Sequence, residues 1–343
     1  MVDLKIVNRL DRDKWRTFVD KHPDGNIYQT PEMFEVHSLT RGYKPTVWAT
    51  VDGNEQISAL HLPVRITLRG GVLHYFTTRN VNFGSILVQE NDEGRQALSL
   101  LFQEYNRHVS PVSLFTEVRH VTDPSEFQDV LKKHGYRYER HLNYFVNLDR
   151  DPYDILQSYS RTTRRDIRYN IRKDRIVIKE ITEPSMLPLF YEIVKKTYAH
   201  ARIPLADISL FEAGYKVLVP KKMARFTIAY VDGVPAAAAS ALMYKSVIYG
   251  WYMGVDRSFR PYYPSEFIIW EMMKWGAEQG FKVFDFGGAG NPDEESGVRE
   301  FKLKFRGDLI EYGRNTCIHA PFRMNLAVKV YELGRKFLKL RQP

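Results

Sequence analysis

The sequence predicts an α/β protein of two tandem domains that share one order of elements, and three observations lead there. The chain has 343 residues, a length that favours two domains at the usual ~100–200 residues each. Two stretches, TVWATVDGNEQISALHLPV and FTIAYVDGVPAAAASALMY, each set an Asp-Gly pair between apolar runs, Asp52-Gly53 in one and Asp232-Gly233 in the other. Such a pair signals a hairpin, because glycine supplies the positive φ that a tight turn needs. The elements around both hairpins then follow the same order, α-α-β-β-β-α-β-α-β, so an internal duplication is expected.

The elements can be taken in turn. Before the first hairpin, Asp11 to Lys21 and Pro31 to Leu39 read as helices; before the second, Pro184 to Ala201 and Ser209 to Leu218 do. After each hairpin and its third strand comes a helix, Glu93 to His108 in one half and Ser265 to Gln279 in the other. A short apolar strand follows, Val112 to Val118 and Lys282 to Phe286. Each half closes on a shorter helix and a strand, DPSEFQDVLKKHG with YRYERHLNYFVNL, and GVREFKLKF with DLIEYGRN. Between the halves, Asp151 to Arg175 has a helical pattern opened by Asp151 as a cap and Pro152 in the first turn. At the C-terminus, Met324, Leu326, Val328, Val330, Leu333, Phe337 and Leu340 form the apolar side of a last helix, expected to pack on the first domain. The expected domains are therefore 1–149, completed by the helix at 315–343, and 150–314.

Composition excludes several classes. Hydrophobic residues make up 44% of the chain against 27% charged, which gives enough apolar material for cores and rules out wholesale disorder. The formal charge of +9 suits anionic partners, whether phosphates, RNA or an acidic membrane. One cysteine, Cys317, allows neither an intrachain disulfide nor a Cys-based zinc cluster. The opening segment carries Asp3, Lys5, Arg9 and Asp11 where an export signal needs an apolar run, and the stretch from Val234 to Met243 is half the length that crosses a bilayer. A cytoplasmic protein without a transmembrane segment is expected. No GxxxxGK[ST], HExxH, GxSxG or strand-to-helix GxGxxG is present, and no metal or redox cofactor is implied.

The element order resembles the GNAT acyltransferase fold, present twice. A CoA-dependent GNAT enzyme carries a glycine-rich turn ahead of the helix that follows its central strand, where backbone N–H groups meet the diphosphate. Here that turn reads DRSFRPYYPSEF. Pro261 and Pro264 lack the donor and Tyr262 and Tyr263 add bulk, and NVNFGSILVQENDEG in the first half is no better, so both turns argue against CoA.

The end of the second half reads FDFGGAG and then GVREFKLKFRGDLIEY. Gly297, Val298, Phe301, Lys302 and Phe305, followed by Ile310, Glu311 and Tyr312, resemble the Fem family of peptidyltransferases, as do Asp285, Gly287 and Gly288 before them. RYNIRK from Arg168 to Lys173 resembles the basic helix that opens the second Fem domain, and IYQTPEMFEVH resembles the family's early helix. The resemblance implies two GNAT-like domains without a coiled-coil arm and transfer of an amino acid from aminoacyl-tRNA to an amine of a UDP- or lipid-linked cell-wall precursor, with peripheral membrane contact open. Where the family commonly has arginine three residues after Thr197, this chain has His200, with Arg202 nearby.

Lys302 is the foremost catalytic candidate, since an ammonium shielded from water stabilises the oxyanion formed when an amine attacks an ester; its plain alternative is a helix-surface lysine. Asp285 has two readings, a base for the incoming ammonium and a cap for the glycine turn, and the cap is preferred. Arg161, Arg164 or Arg165, Arg168, Arg172 and Arg175 recur at helical spacing, with Arg168 and Arg172 as the chosen phosphate contacts; a solvated face of ion pairs is the alternative. His200, Arg202, His37 and Tyr252 complete the substrate-binding candidates. Strand alternation would send Trp251 and Tyr249 to one face and Tyr252 to the other. Two further readings stay open: an N-acyltransferase using acyl-CoA, and a non-catalytic module that binds RNA or anionic lipid.

Overall fold

The computed structural model describes residues 4–67, 71–327 and 329. The chain forms two compact units. One draws on residues up to Ser38, Gly42–Glu139 and the segment from Tyr312 onward; the other holds Leu39–Arg41 and Arg140–Glu311.

In the first unit, strands Lys5–Val7, Trp48–Val51, Ile57–His61 and Leu87–Val88 make a four-stranded sheet. Strands Tyr43–Pro45, Val64–Thr67, Thr78–Asn82, Phe115–Arg119, Arg314–Ile318 and Arg137–Glu139 lie side by side in that order in a second sheet. Thr78–Asn82 and Phe115–Arg119 run parallel. Helix Asp92–Val109 carries apolar residues at helical spacing, and Ala97, Leu98, Leu101, Phe102 and Tyr105 bury that stripe in the unit's core.

The second unit has a seven-stranded sheet in the order Ile176–Glu180, Ala224–Val231, Val234–Tyr244, Val247–Val255, Val283–Gly288, Leu142–Asn147, Asp308–Glu311. Ala236 to Ala239 are all buried in strand Val234–Tyr244, and helices Leu187–Ala201 and Pro264–Glu278 both pack on it. Small side chains let helices approach a fully covered strand. At Gly254 the approach is closer still: a Cβ there would lie 2.4 Å from the Val194 Cα and 2.6 Å from the Ile193 carbonyl oxygen.

Both Asp-Gly pairs sit at hairpins, with different turns. Asp232 (φ 49°) and Gly233 (φ 82°) form a two-residue turn with Val231 opposite Val234. The first loop is longer, joining Val51 to Ile57. Asp52 Oδ1 accepts the backbone N–H groups of Asn54 and Gln56, and the left-handed residue is Glu55 rather than Gly53.

Three boundaries differ from expectation. The division between the units falls at Glu139 and Arg140 rather than at 149–150, because YRYERHLNYFVNL forms two strands with different partners. Arg137–Glu139 pairs with Arg314–Ile318, whereas Leu142–Asn147 inserts between Val283–Gly288 and Asp308–Glu311. Residues 314–318 are correspondingly a strand of the first unit, inserted between Phe115–Arg119 and Arg137–Glu139. Their alternation explains it: Asn315 and Cys317 are buried, and Arg314 and Thr316 are only half-buried. The C-terminal helix therefore starts at 321 rather than 315; Val328, Val330, Leu333, Phe337 and Leu340 of its apolar stripe lie outside the residues whose side chains are described. Finally, the helix expected from Asp151 to Arg175 is two, Pro152–Ser158 and Arg161–Lys173. Tyr159 is extended and buried between them, and the Ser160 hydroxyl caps the second at Thr163 N.

Candidate functional site

Strands Val247–Val255 and Val283–Gly288 run parallel and pair only over their first three residues, Val247 to Tyr249 against Val283 to Asp285. Beyond that point each stays bonded to its outer neighbour, so the two part. On the Val247–Val255 side the pairing with Val234–Tyr244 shifts register: Ser240 faces Tyr252 and Ala241 faces Gly250, leaving Trp251 as an extra residue. This bulge resets the alternation. Trp251 and Tyr252 consequently both line the gap, and the expected split of these rings to opposite faces does not occur.

The gap is a cavity of about 580 Å³. Tyr252 and Met253 line it from one strand, Phe284 and Phe286 from the other, and Val298, Phe301 and Lys302 from helix Gly297–Leu303. Thr197 and Tyr198 border it from helix Leu187–Ala201, and Arg260 from the turn Arg257–Tyr262. Thr197 also holds the strand end: Val255 N donates to its hydroxyl at 2.8 Å, and the hydroxyl donates to the Val255 carbonyl at 3.2 Å.

Lys302 is 7% exposed, and its ammonium donates to three successive carbonyl oxygens, Phe286 at 2.7 Å, Gly287 at 3.2 Å and Gly288 at 2.7 Å. The surface alternative is thereby set aside. Those carbonyls end the strand at the cavity, where no further strand partner is available on that edge. Burial pulls the Lys302 pKa down to about 8, against an opposing pull from Asp285. Asp285, buried, accepts Gly287 N–H on Oδ1 at 2.6 Å, the capping role preferred from sequence. Burial pushes its pKa up to about 7, with Gly287 N–H and Lys302 acting the other way.

A raised carboxyl pKa has a defined sign in folding. The folded chain holds the Asp285 proton more tightly than the unfolded chain does, so the stability it contributes is present below about pH 4 and is lost as pH rises through about 7. Asp285→Asn keeps an oxygen for Gly287 N–H and removes the titration. It should flatten the decline of stability between about pH 4 and 7 and raise the melting temperature by several degrees at neutral pH. Thermal unfolding at several pH values checks this; an unchanged pH profile would show that Asp285 titrates normally.

The other expected residues are dispersed. Arg168 and Arg172 are exposed on helix Arg161–Lys173, whose buried side is Thr163, Asp166, Ile167 and Asn170. Neither has a hydrogen-bond or ion-pair partner among the described residues, and neither lines the cavity. Three others of the basic series are locally paired: Arg164 donates to the Gln157 carbonyl, Arg165 pairs with Asp166, and Arg175 pairs with Asp232 and lies over the Tyr262 ring. His200 is exposed and hydrogen-bonded to Arg257, and Arg202 ends its helix in a left-handed conformation. His37 belongs to the first unit, 7% exposed against Tyr43 and Phe83, where burial pulls its pKa down to about 3 and keeps it neutral. Of the expected set, the structure gathers Lys302 and Tyr252 at the cavity with Asp285 beneath it. Tyr198 and Arg260 are not among the residues expected from sequence; Arg260 lies in a turn read there for its prolines and tyrosines.

The family profile described as Acetyltransferase (GNAT) domain matches residues 157–302, which contain the diverging strands and Lys302. The chain carries the GNAT acyltransferase fold. Solved structures place both units within it. FemX aligns at a TM-score of 0.71 and 16% identity, covering 94% of this chain and all of FemX (100%). A tandem GNAT protein from the clavulanic acid biosynthesis pathway aligns at 0.58 and 11%, over 92% of this chain and 99% of its own. A C-terminal domain described as that of a lysylphosphatidylglycerol synthetase from Agrobacterium fabrum aligns at 0.56 and 13%, over 92% and 93%. No curated protein matches the sequence. Among the described residues, no helix of this GNAT-fold chain is long and apolar enough to cross a membrane.

Proposed function

We propose that the chain is an aminoacyltransferase that moves an amino acid from aminoacyl-tRNA to an amine of a UDP- or lipid-linked cell-wall precursor. The observation that carries this reading is the start of helix Pro264–Glu278, where an acyl-CoA enzyme of this fold needs backbone donors for a diphosphate. Pro264 offers no N–H, Tyr263 before it is left-handed, and the first turn holds the buried carboxylate of Glu266, bonded to the Lys304 ammonium at 2.8 Å. A carboxylate in that place repels a diphosphate. An ester-linked donor needs no diphosphate cradle, and the Fem-like residues around Lys302, the likeness to FemX and the likeness to a domain described as that of a lysylphosphatidylglycerol synthetase support it.

In the proposed step the lone pair of a neutral amine attacks the ester carbonyl carbon. The C–N bond forms, the C–O bond to the ribose breaks, and the amine proton ends on the ribose oxygen. Positioning supplies much of the rate, since the ester is already activated. The buried positive charge of Lys302 beside the cavity stabilises the developing oxyanion. Arg168 and Arg172 are assigned to the tRNA backbone, being exposed one helical turn apart and without a partner among the described residues.

Transfer assays with labelled aminoacyl-tRNA and labelled acyl-CoA, each with an amine-bearing cell-wall precursor, test the reading. Label should pass from the tRNA ester; label passing only from acyl-CoA would assign the chain to the N-acyltransferases, and none from either with salt-dependent RNA binding would make it a binding module. Replacing Arg168 and Arg172 by glutamine should weaken charged-tRNA binding and reduce the salt slope by about 2, one per lost phosphate contact. Equal affinity and slope would remove this helix from the tRNA site.

A further inference from the structure

The first unit holds a second concentration of charge that the proposed transfer does not use. It lies on one face of the six-stranded sheet. Glu117 and Arg119 project from strand Phe115–Arg119 on the side opposite Thr116 and Val118, both of which are fully buried. Arg314 stands opposite Arg119 on the next strand. Arg79 comes from the neighbouring strand on the other side, where Val81 is the register partner of Glu117. Three guanidinium groups on three adjacent strands thus share one face.

Their pairing is incomplete. Arg119 donates to Glu117 Oε1 and lies over the Phe83 ring at 5.3 Å, and Arg314 reaches Glu117 Oε2 at 3.4 Å. Glu117 is therefore occupied on both oxygens. Burial alone would raise its pKa, but the arginines hold it below the usual carboxylate range. Glu139, opposite Arg314 on the edge strand, adds attraction to that arginine. Arg79 makes no hydrogen bond or ion pair among the described residues, its Nε is buried without a partner, and Glu117 acts on it only as attraction at a distance. Burial disfavours its charge, and Arg119 disfavours it further. A guanidinium Nε–H that has lost water and gained no acceptor costs free energy. It is tolerable where an anion supplies the missing acceptor.

We propose that Arg79, Arg119 and Arg314 form a binding site for a phosphoryl oxyanion, with Glu117 fixing two of the three guanidinium groups in place. The ligand class follows from the donor arrangement. Forks arriving from three strands meet oxygens in more than one plane, which a tetrahedral phosphoryl group offers and a planar carboxylate does not. Arg119 and Arg314 keep side-chain exposures of 36% and 26%, so the face is open to a solute. The Tyr43 hydroxyl stands near Arg79 and Arg119 as a further polar group.

The test compares inorganic phosphate and pyrophosphate with sodium chloride at matched ionic strength, reading melting temperature and calorimetric affinity of the full chain. Phosphate should stabilise the wild type beyond chloride. Arg79→Met, which keeps the packed stem, should weaken phosphate binding at least tenfold; Arg79→Lys, which keeps the charge and loses the fork, should fall between. Tighter binding of pyrophosphate would identify a diphosphate-bearing ligand and equal affinity a single phosphoryl group, both in support. No stabilisation beyond chloride, or a phosphate effect untouched by Arg79→Met and Arg79→Lys, overturns the proposal.

Discussion

Lys302→Met is expected to lower aminoacyl transfer by on the order of a hundredfold, the usual cost of removing one oxyanion-stabilising group. The structure adds a second consequence. The ammonium satisfies the carbonyls of Phe286, Gly287 and Gly288, and methionine leaves these acceptors at the cavity wall without it. A buried acceptor left unsatisfied costs about 1–3 kcal/mol, so the melting temperature should fall too. The two effects separate if turnover is measured well below the transition, with the folded state confirmed by circular dichroism. Loss in kcat with KM little changed marks a transition-state role. A folded variant with wild-type kcat would leave Lys302 as a clamp on the glycine turn alone. The wild-type pH profile gives an independent reading: with its pKa pulled down to about 8, the ammonium is lost above that pH and transfer should decline there.

The second large effect concerns fold rather than chemistry. Gly254→Ala should destabilise the chain by about 3 kcal/mol, the upper part of the range for overpacking. The added methyl would stand 2.4 Å from one backbone atom and 2.6 Å from another in helix Leu187–Ala201, and backbone has no rotamer by which to yield. Because the same helix brings Thr197 and Tyr198 to the cavity, the displacement should also weaken substrate binding. Gly250→Ala is the control four residues earlier: its Cβ would meet nothing closer than 3.5 Å, an ordinary contact, so it should fold as the wild type does. Chemical denaturation of both variants decides; equal midpoints would mean that the helix yields to the added methyl at no cost.

Much of this architecture was legible because it is written in local pattern. Asp-Gly between apolar runs marks both hairpins, and the apolar spacing of Asp92–Val109 marks a buried helix stripe. Lys302 was legible for a similar reason: Phe301 and Phe305 bracket it, and Phe305 is fully buried. The exchange of strands was not. Leu142–Asn147 and Arg137–Glu139 differ in partner rather than pattern, and partner choice depends on residues more than a hundred positions away. The bulge at Trp251 was equally silent, because one residue too many leaves no mark in composition yet brings both Trp251 and Tyr252 to the cavity. The carbonyls that hold Lys302 were out of reach as well, since backbone groups carry no sequence signature.

The strand Arg314–Ile318 sets a timetable for the nascent chain. It fills the position between Phe115–Arg119 and Arg137–Glu139, yet it is synthesised after every strand of the second unit. A ribosome adding about 5–20 residues per second leaves the earlier strands with facing, unpaired edges throughout that interval. The N-terminal unit, begun first, is the last to be finished. Termination after residue 311 and before 314 would release a chain whose seven-stranded sheet is complete and whose six-stranded sheet still has open edges, the kind of product that quality control recognises.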